Sequence, residues 1–153
     1  MSLKETLQAD LKQAMLAREA DRVELLRGLK SAILYAEVAA DKREQGLDDS
    51  EVIAVLQKES KKRAEAAILF EKGGNQASAD KERVESTMID VYLPTKLSEK
   101  ELSSMIDGAM STLGVDSPQR SDMGKIIGAV KAKGGAAVDG STLAKLVSQR
   151  IGS

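Results

Sequence analysis

Gly124-Lys125, followed by Lys131, Lys133, Lys145 and Arg150, is the arrangement in this chain with the clearest capacity for chemistry, and that chemistry is anion binding. A phosphate loop needs a glycine, four residues and then Gly-Lys-Ser/Thr after a β-strand, so that successive amides wrap the phosphates. Here Ile126 follows Lys125, Gln119 occupies the earlier glycine position, and no strand pattern precedes the segment. The spacing excludes a P-loop. What remains is a set of five basic side chains, Lys125, Lys131, Lys133, Lys145 and Arg150, expected near two helix N-termini and suited to nucleic-acid phosphates.

Other chemistry is thinly provided. The chain has no histidine and no cysteine, so the commonest general base, the thiolate nucleophile and the usual metal ligands are missing. No metal and no cofactor are expected. A serine nucleophile would have to rely on a lysine or a carboxylate as its base. Glu59, Glu65, Glu71 and Glu82 alternate with lysine and arginine, the pattern of solvated ion pairs one helical turn apart rather than of a catalytic dyad. The basic run Gln57-Lys58-Glu59-Ser60-Lys61-Lys62-Arg63 is flanked by glutamates and reads as a helix face in water. Tyr35, Phe70 and Tyr92 are the aromatic residues; all lie in the first part of the chain and are expected in its core. Any nucleic-acid contact is therefore expected to reach backbone and shape, since base stacking uses aromatics.

The elements that position these residues read as helices. Abundant Ala, Leu, Lys and Glu with two prolines among 153 residues predict an all-α fold. Ser2 and Glu5 form a capping box, after which Leu3, Leu7, Leu11 and Met15 mark one face of a first helix. Asp21 with Glu24 starts a second, lined by Leu26, Leu29, Ile33 and Ala36. Ser50 is the expected cap of a third, with Val52, Ile53, Leu56, Ala64, Ala67 and Ile68 inward, ending at Gly73-Gly74-Asn75. A fourth carries Val84, Met88, Val91 and Tyr92. Pro94 then disfavours helix at Leu93 and marks a boundary, giving parts 1–93 and 97–153. In the second part Ser98 and Glu101 form another capping box, Leu102, Met105, Ile106 and Ala109 line a fifth helix, and Gly114 stops it. Ser121 is the expected cap of a sixth helix bearing Met123, Ile126, Ile127 and Val130, closed by Gly134-Gly135. Asp139 caps the last, with Leu143, Leu146, Val147 and Ile151 inward.

Charge is unevenly spread. The net charge is −1, yet residues 114–153 hold six bases and three acids, so a tail of +3 follows a body of −4. No apolar run approaches the roughly 20 residues of a membrane span, and no leader is recognised. The chain is expected to be cytoplasmic.

The order of motifs resembles the YqeY family, stand-alone relatives of the C-terminal tail of the GatB subunit of tRNA-dependent amidotransferases. Tyr92-Leu93-Pro94, Leu97 to Leu102, Asp122-Met123-Gly124-Lys125-Ile126-Ile127-Gly128 and Asp139-Gly140-Ser141 carry the resemblance, which spans essentially the whole chain. It implies four helices followed by three, and a non-catalytic module that engages the body of a tRNA. A protein-interaction adaptor, using an apolar groove near Ile126, Val130 and Leu143, is the alternative. A share in glutamine-dependent carbon–nitrogen ligase activity would follow from family association alone. Within the motifs, Tyr92, Leu93, Pro94, Asp122, Met123, Gly124, Asp139 and Gly140 are expected to serve structure, Gly124 by allowing close helix approach. One departure stands out. The family places a basic residue in the last corner, where this chain has Ala136-Ala137-Val138, leaving Lys131 and Lys133 to supply charge from the preceding helix end.

Overall fold

A computed structural model describes residues 1–152. Among them the regular structure is entirely helical: α1 (Leu3–Leu16), α2 (Ala20–Ala39), α3 (Asp49–Lys72), α4 (Gln76–Asp90), α5 (Glu99–Leu113), α6 (Met123–Gly134) and α7 (Gly140–Ile151). Two compact units divide between Leu93 and Pro94, the first built from α1–α4 and the second from α5–α7.

Reciprocal capping starts three of the helices. Ser2 with Glu5, and Ser98 with Glu101, form the boxes expected of them, each pairing two amides that the helix itself leaves free. The third box is made by Asp48 with Glu51, not by Ser50, which lies two residues too late and donates its hydroxyl to Asp48 instead. α2 likewise begins before Asp21, at Ala20. At the other ends, Gly114 takes the left-handed conformation at φ 69°, and Gly74, at φ 80°, turns the chain between α3 and α4.

In the first unit Leu7, Leu26, Leu29, Val52, Leu56 and Ile89 meet in one buried cluster. The inward stripe of α1 closes on Ala14; Met15 stands half exposed because the core is already filled a residue earlier. Glu37, in the last turn of α2, is buried among these apolar side chains. Its carboxylate accepts from the Lys4 ammonium and, at 3.1 Å, from the amide of Leu47, which ties the loop after α2 back onto α1.

α3 and α4 form an antiparallel hairpin that continues past this cluster. Beyond Leu56 the contact is polar and small: Ser60 donates to Asp90 at 2.6 Å and lies 2.9 Å from the Ser86 hydroxyl. Arg63 bridges Glu59 at 2.7 Å and Glu85 at 3.3 Å, Arg83 pairs with Glu71, and Ala67 and Ala79 are buried. Ala64, Ile68, Val84 and Val91, expected inward, are exposed, since the face of α3 that meets α4 runs through Ser60, Arg63 and Ala67 instead. Tyr35 and Phe70 are also exposed, Tyr35 at 82%, contrary to the expectation that every aromatic lies inside.

The second unit packs Leu102 and Ile106 of α5, Ile126 and Val130 of α6, and Leu143 and Val147 of α7 into a core with at most 1% exposure. The corner after α6 is where the backbone comes close. A Cβ on Gly134 would lie 2.4 Å from Val138 Cγ2, 3.1 Å from Met105 Cε and 3.3 Å from Leu97 Cδ1. Gly124, expected to serve this purpose, has nothing within 4 Å of its would-be Cβ. Met105 can swing aside but the short, branched Val138 cannot. Gly134→Ala is therefore expected to destabilise the second unit by about 1–3 kcal/mol, the usual range for overpacking, read as a lower urea midpoint; Gly124→Ala serves as the neutral control.

Candidate nucleic-acid interface

The segment before α6 is organised from its own side chains. A short 3-10 turn, Arg120–Asp122, precedes the helix, and Asp122 accepts from the Gln119 amide at 2.8 Å. Ser121 is exposed and does not cap α6, because this turn feeds the helix directly. Met123 packs against the core of the unit. A second 3-10 turn, Gly135–Ala137, lies between α6 and α7, and the Ala137 carbonyl accepts from the Leu97 amide at 2.9 Å. This backbone bond anchors the second 3-10 turn to the chain just before α5.

Asp139 holds the N-cap position of α7, where it takes the Thr142 hydroxyl and, at 3.3 Å, the Ser141 hydroxyl. The Lys96 ammonium stands 3.9 Å away. The Thr142 hydroxyl chiefly, and the nearby Lys96 charge, hold the Asp139 carboxyl below its ordinary range. Gly140 opens α7 with the Lys131 ammonium close by, 3.7 Å from where a Cβ would stand. Lys131 therefore sits beside the positive end of α7, although it belongs to the last turn of α6.

The five candidate bases separate into two groups. Lys125, Lys131, Lys133 and Lys145 are exposed, and none has a carboxylate within ion-pair distance among the described residues. Lys125 alone lies in a first helical turn; Lys131 and Lys133 end α6, where a cation offsets the helix dipole. Lys125 and Lys131 are six residues apart, hence about 9 Å along the axis and about 120° around it. They cannot converge on one phosphate.

Arg150 behaves differently. Its guanidinium pairs with Asp107 and donates to the Ser103 carbonyl at 3.3 Å, pinning the end of α7 to α5. Asp107 and Arg150 lie 43 residues apart, so no local pattern points to the pair. The apolar groove expected near Ile126, Val130 and Leu143 is absent from the surface, since these three side chains form the interior of the unit.

The Tyr92-Leu93-Pro94 motif closes the first unit. Tyr92 and Leu93 pack against its core, and their amides bond back to Ile89 and Asp90 at 3.0 Å. The Tyr92 hydroxyl donates to Asp10; burial, and then this carboxylate, push the phenol up to about 12. Pro94 opens the second unit. No grouping of acidic residues able to hold a metal occurs among the described residues, and no described helix is long and apolar enough to cross a membrane.

Comparison with known proteins places this geometry in context. The chain is 25% identical, over 96% of its own length and 80% of the relative's, to Altered inheritance of mitochondria protein 41, mitochondrial, of Pyrenophora tritici-repentis (strain Pt-1C-BFP). The family described as Yqey-like protein matches residues 4–151, nearly the whole chain, and the protein belongs to that YqeY family.

Proposed function

We propose that this protein is a non-catalytic helical module that binds tRNA through Lys125, Lys131, Lys133 and Lys145 and acts where tRNA is used in the cytoplasm. The observation that supports this reading is the exposure of four ammonium groups with no carboxylate at hand, displayed on a rigid three-helix unit. The resemblance to the tRNA-engaging tail of GatB supplies the class of ligand. An accessory role, rather than a catalytic one, is favoured by the absence of histidine and cysteine. Glu5, Glu37, Asp48, Glu51 and Asp139 are moreover all held below the ordinary carboxylate range, the reverse of a general acid poised near neutrality.

Filter binding with a tRNA transcript tests the reading. With four phosphate contacts, log K is expected to fall with log salt at a slope of about −3. The variant K125E/K131E/K133E/K145E is expected to lose binding while its thermal melt stays cooperative. Arg150→Glu is not a suitable probe, because it would break the clasp to Asp107. Absence of wild-type binding even at low salt would end the proposal.

A further inference from the structure

A groove of about 800 Å³ runs between α2 and α3 of the first unit, floored by Ala32, Ala36, Ala39, Ala40 and Val55. Small side chains on its floor allow another backbone to approach closely. At its α2 edge Tyr35 lines the groove and stands 82% exposed. An exposed aromatic beside an alanine-floored trough offers an anchor for an apolar face.

The opposite edge is charged. Lys58 and Lys62, one turn apart on α3, line the groove and have no carboxylate within ion-pair distance among the described residues. The one carboxylate in the lining, Glu59, is already bound to Arg63 at 2.7 Å. The groove therefore offers an aromatic anchor, a shallow apolar floor and a cationic rim. Val55, Lys62 and Leu69 recur every seventh residue, so the exposed Leu69 prolongs the same stripe of α3 beyond the groove.

We infer that this groove docks an acidic amphipathic helix of a partner protein, its apolar face on Tyr35 and the alanine floor and its glutamates or aspartates along Lys58 and Lys62. Helix-in-groove recognition needs this combination of trough, anchor and rim charge. A second copy of the chain is disfavoured, since it would bring the same cationic rim and no free carboxylate from the lining to answer it. A single nucleic-acid strand could stack on Tyr35 and pair with the lysines, but it would leave Val55 and the alanine floor without a role. The inference concerns the first unit and stands apart from tRNA binding by the second.

The test is titration of the ¹⁵N-labelled full chain with a designed peptide of about five helical turns, leucines on one face and glutamates on the flanks. Saturable shifts are expected at Ala36, Ala39 and Val55, at least tenfold weaker with K58E/K62E and with Tyr35→Ala, whose exposed sites leave folding unaffected. A lysine-flanked twin and a proline-broken version are expected not to bind. Three results overturn the inference: no shifts at millimolar acidic peptide, equal binding of the basic twin, or the same amides shifting instead with an oligouridine strand. Concentration-dependent dimerisation that Tyr35→Ala abolishes would assign the surface to a second copy and equally overturn it.

Discussion

Leu143→Ala is expected to remove about 2–5 kcal/mol from the second unit, the range for emptying a leucine-sized space in a packed core. Leu143 has no exposed surface and lies where α5, α6 and α7 meet. A unit of this size holds roughly 0.05–0.15 kcal/mol per residue, about 3–9 kcal/mol in all, so the loss is a large part of its stability. Hydrogen exchange of the α5–α7 amides checks the prediction. Their protection is expected to drop by at least tenfold, with Leu143→Met restoring most of it. A loss under about 1 kcal/mol would mean that the helices collapse onto the cavity with unusual ease.

Glu37→Ala is expected to destabilise the first unit by about 1–3 kcal/mol, combining a lost charge-assisted hydrogen bond with a part-buried amide left unpaired. The amide is that of Leu47, and the lost donor is Lys4, itself partly in water and thus able to re-solvate its charge. Glu37→Gln keeps an acceptor for Leu47 and is expected to recover part of the deficit. The Lys4 hydrogen bond, followed by that of the Leu47 amide, holds the Glu37 carboxyl below its ordinary 4.5. A lowered folded pKa means the unfolded chain binds the proton first, so the contribution is complete above about pH 4.5 and disappears as the pH falls through the folded value. Urea midpoints of wild type and Glu37→Ala should therefore converge on acidification. A constant gap down to low pH would show that the side chain acts by packing alone.

What could be read in advance follows from the range of each interaction. Ser2 with Glu5 and Ser98 with Glu101 act over three residues, and their boxes are visible as spelled. Asp48-x-x-Glu51 is spelled just as plainly, whereas Ser50 has Ile53 where a reciprocal cap needs a glutamate. Tyr35 could also have been placed: two residues after buried Ile33 it falls on the opposite side of a helix, whatever its hydrophobicity. Gly134 and the Asp107–Arg150 clasp were not legible, since each depends on which helices meet. The four free lysines are individually plain in the sequence; that Arg150 does not join them is a property of the fold.

The α3–α4 hairpin also bears on how such chains can change size. From Lys61 to Lys72 the outer part of α3 spans about 18 Å at 1.5 Å per residue. It is held to α4 by alanines, serines and ion pairs, and contributes nothing to the leucine cluster at its base. Matched insertions or deletions of whole turns in the two helices would leave that cluster and every loop at its base as they are. The hairpin is thus an arm of adjustable reach, on which length can drift or be selected without renegotiating the fold that carries it.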